Sequence, residues 1–262
     1  MLLGLFFAKF SFFSFTNQFC FEKTISLMFA ITPNTLSTFL NSISKYIVFL
    51  MILLLGFSTI LIILLENDYY QGVSFKIMFI HVPAAWLSLL IFSTMGISSI
   101  IGLVFKSPTA FTISRAISPI GLIMSIVVLV TGSIWGNLTW GTYWVWDARL
   151  TSMLILSFIY LGHILLLYSF DHFQKADFAA SILAIIGLVN LPIVKFSVDW
   201  WTTLHQGSTI FRVDGPSITN DYLITLLVSF FSLFLLCIYW FSNIFYIIIE
   251  NRKIERSKLL NQ

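Results

Sequence analysis

Charge is scarce in this chain: Asp, Glu, Lys and Arg make up only 10% of its 262 residues, hydrophobic residues make up 58%, and the mean hydropathy is +0.96. So little polar surface excludes a soluble globule. Cysteine is nearly absent as well. Cys20 and Cys237 are far apart and neither belongs to a Cys-x-x-Cys pair, which argues against thiol–disulfide exchange and leaves Cys237, inside an apolar run, as a small buried hydrophobe. No Gly-x-x-x-x-Gly-Lys-Ser/Thr segment is present, so the chain does not hydrolyse ATP through a phosphate-cradling loop of that kind. A net charge of +3 is too small, and too scattered, for a nucleic-acid footprint. No internal repeat is visible.

What the chain has instead is apolar runs, at 43–65, 77–105, 116–134, 148–170, 178–196 and 221–249. Crossing a bilayer takes about 20 residues. The expected fold is therefore an all-α integral membrane protein with six transmembrane helices, the fifth of them short and interrupted by Pro192. An even number of spans puts both termini on one side, and basic residues in short loops assign that side. Lys9, Lys23, Lys45, Lys106, Arg115, Lys175, Arg252, Lys253, Arg256 and Lys258 fall together, ten of the fourteen Lys and Arg residues, which makes it the cytoplasmic or matrix side. Lys76, Arg149, Lys195 and Arg212 fall on the other, which faces the periplasm of a bacterium or the intermembrane space of a mitochondrion. The expected organisation is an N-terminal extension over 1–42, a six-helix membrane domain over 43–250 and a basic tail over 251–262. Within the extension no basic segment precedes the apolar stretch Leu2–Phe15, which weakens a signal-peptide reading, and Met28 is an alternative start. The tail is expected to fix orientation as a solvated stop to the sixth helix. No Asp, Glu, Lys or Arg is expected deep in a span, where such groups would mark a translocation path. The polar group that does lie there, His163, is expected to be a helix-contact residue rather than a relay.

The residues between spans three and four are unusual. Of the eight tryptophans in the chain, Trp135, Trp140, Trp144 and Trp146 fall within twelve positions, interleaved with Gly136, Gly141, Tyr143, Asp147 and Arg149. Trp200 and Trp201 add two more on the outward side. An interfacial belt of aromatics is the plain alternative, because Trp and Tyr favour membrane surfaces everywhere. A belt, however, spreads over all helix ends, and Trp-Gly repeats imply a shaped backbone.

Histidine supplies a second pattern. His81 near the outer end of span two and His205 in the outer loop before span six share the tryptophan side, whereas His163 and His172 do not. Taken singly, each is most simply a hydrogen-bonded interfacial residue. Taken together with six outward tryptophans they point to a flat ligand. A bare metal ion would need three or four clustered ligands. Haem needs one or two axial imidazoles, its porphyrin supplying the other four nitrogens, and its ring packs on apolar and aromatic surface. Arg149, Arg212, Thr142 and the indole N–H groups are candidates for its propionates. Asp147 is expected either to pair with an arginine or to cap the fourth helix.

The segment from Trp135 to Ser152 resembles the tryptophan-rich "WWD" signature of haem-handling membrane proteins. His-Val-Pro-Ala-Ala-Trp at 81–86 and Lys-Phe-Ser-Val-Asp-Trp-Trp-Thr-Thr-Leu-His-Gln at 195–206 are similar to the cytochrome c maturation protein C family, also called haem exporter protein C. The resemblance covers about 45–250. It implies axial ligation of non-covalent haem b by His81 and His205, and a porphyrin cradle of Trp135, Trp140, Trp144, Trp146 and Asp147. It also implies a haem-transfer subunit rather than an enzyme, one that presents haem at the outer face to the haem chaperone (protein E). Its other partners would be the ATP-binding component (protein A), the membrane component (protein B) and the small protein D of an ABC-type complex. Two alternatives stay open: a haem lyase or synthetase of the wider tryptophan-signature group, and a transporter with an aromatic mouth.

Overall fold

A computed structural model describes residues 32–260 apart from 208, 211, 213 and 214, with side chains excepted at 256 and 258–260. The expectations for Lys9, Cys20, Lys23 and Met28 lie outside the described residues. Helix α1 is Pro33–Leu64. After it a short 3-10 turn, Val73–Ile77, runs into α2, Met78–Phe105. There follow α3 (Pro108–Trp140), α4 (Ala148–Tyr168), α5 (Phe173–Gly187), α6 (Asn190–Trp200) and α7 (Asn220–Leu260). Helices α5 and α6 together form the fifth of six spans long and apolar enough to cross a membrane, and the others form one span each. The expected six-span, all-helical integral membrane protein is thus what the chain forms.

Chain ends and connections sort to the two ends of the bundle. The α1–α2, α3–α4 and α6–α7 connections share the tryptophan end, and the α2–α3 and α4–α5 turns share the opposite end with the start of α1 and the end of α7. Local chemistry sets the boundaries. Thr32 caps α1 by accepting from the Thr35 N–H at 3.2 Å, with Pro33 at the first helical position. Ser107 caps α3 in the same way, again followed by proline, and Lys106 turns the chain in the left-handed region at φ 51°. In the fifth span Pro192 cannot donate to the Leu188 carbonyl, and the chain breaks between Gly187 and Asn190. The break is held by Asn190, whose Nδ2 donates to the Ser152 carbonyl of α4 at 2.9 Å.

Lipid tails compete with Leu and Ile for apolar contact, so these helices need small residues and hydrogen bonds to hold together. Ser58 of α1 bonds Ser229 of α7 at 3.1 Å, and Ser99 of α2 bonds Ser114 of α3 at 3.0 Å. Tyr160 of α4 is fully buried against Gly121 of α3 and donates its hydroxyl to the Ser88 carbonyl of α2 at 2.7 Å. Around it Leu87, Phe92, Met95, Ile120, Met124 and Leu156 form the main core.

Two sequence expectations change. Helix α1 begins ten residues before the first apolar run, so residues 33–42 are helical. The basic tail is not a separate solvated stop, because α7 is a single helix of 41 residues that carries Arg252 into the bundle. The charges buried between helices lie near the end opposite the tryptophans, at the edges of the expected spans rather than deep within them. Arg115 of α3 is only 8% exposed and places Nε at 3.1 Å and Nη2 at 2.8 Å from Asp177 Oδ1 of α5. Arg252 of α7 takes the second oxygen of Asp177 at 2.9 Å and bonds Thr112 of α3 at 2.9 Å. Both guanidiniums also lie over the Phe173 ring, at 5.0 and 5.1 Å. His163 keeps its expected role as a helix-contact residue: its Nε2 meets the Ser114 hydroxyl at 3.3 Å, inside the same polar layer.

Candidate functional site

At the tryptophan end the sequence reads as one loop, but the structure divides it. Residues 135–140 are the last turns of α3, and Gly141, at φ +75°, ends that helix in the left-handed region that favours glycine. Only the stretch from there to Asp147 is irregular. Asp147 then caps α4, its Oδ1 accepting from the Leu150 N–H at 2.8 Å, as one of its two sequence readings expects. Trp135 and Trp140 therefore stand on a rigid helix end, whereas Trp144 and Trp146 ride on the connection. Gly136 lets the Trp140 ring lie close, since a Cβ there would sit 3.1 Å from it.

His81 lies in the first turns of α2, one turn after the 3-10 segment and two residues before the buried Pro83. Its Nδ1 is 3.0 Å from the Thr131 hydroxyl of α3, and its ring meets Trp135 edge-on at 5.8 Å. Gly132 leaves the room for it: a Cβ at that position would lie 2.9 Å from His81 Cε1. His205 comes from the α6–α7 connection. Its Nδ1 is 3.4 Å from Asp147 Oδ2, and its ring meets Trp140 edge-on at 5.0 Å. Asp147 thus pairs with a histidine rather than with an arginine, capping α4 with one oxygen and holding His205 with the other. The two imidazoles and the Arg149 guanidinium lie close enough to feel one another's charge, and Asp147 and Asp199 surround Arg149. Burial pulls His205 below the ordinary imidazole pKa, and Arg149 adds to the shift against the opposing charge and hydrogen bond of Asp147. The neutral ring, which has a lone pair to give, is favoured.

In both histidines, then, Nδ1 faces a hydrogen-bond partner and the ring lies edge-on to a tryptophan, with no hydrogen bond to Nε2 among the described residues. That is the arrangement of metal-binding histidines, whose outer nitrogen is held by a carboxylate, carbonyl or hydroxyl while the other coordinates. Trp144 adds a buried indole N–H with no partner among the described residues, an orphan donor that an anionic ligand group would satisfy. Donor set and surface fit haem: two imidazoles, a half-buried cation in Arg149, an N–H unpaired among the described residues and broad aromatic faces.

Other sequence candidates are placed differently. The Trp135 indole N–H is committed to Gln71 Oε1 at 2.8 Å, so it is not free for a propionate. Thr142 likewise spends its hydroxyl inside the turn, donating to the Trp144 carbonyl at 3.1 Å. Arg212 is exposed in the α6–α7 connection. Trp146 projects from the connection at 76% exposure, edge-on to Trp144 at 5.4 Å. Trp200 and Trp201 end α6, edge-on to each other at 5.7 Å, with Phe196 stacked on Trp200. They share the end of the bundle with the histidines and are about half exposed. Sequence reasoning missed Gln71, Thr131 and Gly132. Thr131 and Gly132 stand one turn before Trp135 on the face that meets α2, a signal available only once α2 and α3 are known to pair. Gln71 is presented by a loop that Asp68 folds, accepting from the N–H groups of Tyr70 and Gln71, and nothing in the sequence marks it.

Residues 26–260 match the family described as Heme exporter protein C. The Heme exporter protein C of Bradyrhizobium diazoefficiens is 50% identical over 165 residues, 63% of this chain and 63% of the relative. That of Escherichia coli K12 is 52% identical over 142 residues, 54% and 58% of the two chains. The match thus spans less than two thirds of either bacterial protein. A Marchantia polymorpha protein, a "putative cytochrome c biosynthesis ccmC-like mitochondrial protein", is 48% identical over 188 residues, covering 72% of this chain and 77% of its own. Taken with six apolar spans and a paired-histidine, tryptophan-rich end, the match over residues 26–260 shows that the chain belongs to the Heme exporter protein C family.

Proposed function

We propose that this chain is the haem-binding membrane subunit of a cytochrome c maturation system. It holds haem b non-covalently at the outer membrane face, toward periplasm or intermembrane space, and hands it to the haem chaperone (protein E). The observation that carries the reading is the shared arrangement of His81 and His205, each with Nδ1 held by a hydrogen-bond partner and its ring edge-on to a tryptophan. Haem is the cargo, and the residues divide its recognition between them. His81 and His205 supply axial nitrogens; Trp135, Trp140, Trp144 and Trp146 supply flat apolar area, with Trp200 and Trp201 extending it. Asp147 holds His205. Arg149 and the Trp144 N–H offer charge and a donor to the propionates. Two ligands drawn from separate elements, one on a helix and one on a connection, allow release by moving the connection without disturbing the helix. The ATP-binding component (protein A), the membrane component (protein B) and the small protein D are the remaining partners in this reading.

An absorption spectrum of the purified protein tests it. Low-spin bands are expected, and His81→Ala and His205→Ala should each lose them and regain them partly with added imidazole. Unchanged low-spin spectra in both variants would sink the assignment. For sidedness, a cysteine at Thr139 in a background lacking Cys20 and Cys237 should react with an impermeant reagent from outside, and one at Gln174 should not. The reverse labelling would overturn the orientation.

A further inference from the structure

We propose that Thr131 is a positioning residue that decides which nitrogen of His81 carries the proton, and so presents the Nε2 lone pair to the ligand; this rests on the reading of His81 as an axial ligand. The argument begins with one hydroxyl proton. Thr131 Oγ1 lies 2.6 Å from the Val127 carbonyl oxygen one turn back on α3. Two oxygens that close repel unless a proton lies between them, so the hydroxyl donates to that carbonyl. Its proton is then spent, and toward any third group Oγ1 can only accept. The third group is His81 Nδ1, at the ordinary N–H···O distance of 3.0 Å. Nδ1 therefore bears the hydrogen, and in the neutral ring Nε2 is left bare. The Val128 carbonyl, beside Thr131 on the same turn, is a further acceptor for His81, and Thr131→Val reads how much of the preference is due to the threonine.

The rest of that turn of α3 holds the ring in the orientation the bond requires. Gly132 meets the Cε1 edge, where even a methyl group would collide. Trp135, one turn on, closes another side edge-on and is itself tethered to Gln71. Residues 131, 132 and 135 thus form a socket on α3 for a histidine of α2, and the strongly packed α2–α3 pair keeps socket and ring in register. His205 reaches the same tautomer by another device, the Asp147 carboxylate. The α3 socket is neutral and built on helix, so His81 needs no charge to be held.

The test compares Thr131→Val, which keeps the shape and removes the acceptor, with Thr131→Ser, which keeps the acceptor. In the haem-free full chain labelled with 15N-histidine, above the titration range of imidazole, the His81 ring, assigned by its loss in His81→Ala, should show a protonated Nδ1 and an unprotonated Nε2. Thr131→Val should shift that ring toward a mixture of tautomers, and Thr131→Ser should leave it as in the parent. Haem retention, read by titration of the low-spin band, should fall about 10-fold in Thr131→Val, the lower end of the usual loss for an outer partner of a ligand, and recover in Thr131→Ser. A His81 ring still fixed with Nδ1 protonated in Thr131→Val overturns the proposal, as does unchanged retention in that variant when His81→Ala abolishes binding. If His81→Ala keeps the low-spin band, the ligand reading fails, and the nitrogen signals still decide separately whether Thr131 sets the tautomer.

Discussion

The two ends of this bundle treat polar groups in opposite ways. At the end holding the α2–α3 and α4–α5 turns, opposite charges are paired: Asp177 divides its two oxygens between Arg115 and Arg252, Thr112 takes another guanidinium N–H, and Phe173 lies under both cations, although Arg252 Nε and His163 Nδ1 are buried there without a partner among the described residues. At the tryptophan end the pairing is deliberately incomplete. Nδ1 of each key histidine is held, neither Nε2 nor the buried Trp144 N–H has a partner among the described residues, and Trp146 stands exposed. Buried polar groups left unmatched cost stability, and at the tryptophan end a ligand could complete the Trp144 N–H. The ion cluster ties α3, α5 and α7 together, whereas the tryptophan end offers histidines, a cation and exposed rings to a ligand.

Breaking the matched end should produce the largest effect. Asp177→Ala leaves the buried Arg115 and the half-buried Arg252 guanidiniums without their anion, and removing one partner of a buried pair costs about 3–5 kcal/mol. The variant should unfold in milder detergent or at lower temperature and accumulate less in membranes. Replacing all three charges together, Asp177→Leu with Arg115→Met and Arg252→Met, should recover most of the loss, because apolar groups of similar volume need no partner. Haem bound per folded molecule should be unchanged in both. A large change in that ratio would show that the two ends are coupled, and the comparison would fail.

How much of each end could be read in the sequence differs for the same reason. Six spans follow from hydropathy alone, because crossing a bilayer demands long apolar runs, and Pro192 marks the broken fifth span. His81, His205 and the tryptophans stand out because their residue types are rare here and chemically specific. Their holding partners do not: Thr131 is one threonine among many, and Gln71 acts through a loop fold that no local pattern announces. The ionic cluster was hidden in a different way. Arg115, Asp177 and Arg252 are each ordinary residues next to apolar runs, and hydropathy places them at span edges as solvated charges. Only helix pairing across separations of 62 and 75 residues turns them into a buried network. The helix end at Trp135–Trp140 was misread as loop because Gly and Trp are poor helix formers, a weak preference that packing on α2 overrides.

At the open end, truncating a tryptophan should have a smaller effect, on ligand rather than fold. Trp140→Ala removes the ring that meets His205 edge-on and part of the flat surface, worth about 1–3 kcal/mol for a large apolar group. Both imidazoles remain, so the haem that binds should still be low-spin, with occupancy reduced roughly 5- to 100-fold at limiting haem. Trp144→Phe keeps most of the area and removes only the unpaired N–H, so it should cost less. If Trp144→Phe weakens haem more than Trp140→Ala, the N–H outweighs the ring area and the donor is the main contribution of that segment. Should Trp140→Ala unfold the protein as readily as Asp177→Ala, the tryptophan end is structural and the contrast between the ends disappears.

The smallest effects separate two neighbouring basic residues of α7 that hydropathy treats alike. Arg252 is tied to Asp177 and Thr112, whereas Lys253 pairs only with Glu250, three residues earlier on the same helix, with its side chain 54% exposed. An exposed pair of that kind contributes about 0–1 kcal/mol. Lys253→Gln should therefore leave unfolding almost unmoved and act, if at all, through the basic charge that orients the last span, seen as a modest fall in correctly inserted protein. Arg252→Gln removes half of the pairing of Asp177 and should lower stability clearly, though by less than Asp177→Ala, because Arg115 still neutralises the carboxylate. Measuring both variants by detergent-unfolding midpoint and by membrane yield tests whether the matched end is a specific clamp. Equal effects on the midpoint would reduce it to general basic charge at the membrane surface, and haem bound per folded molecule should stay level in either case.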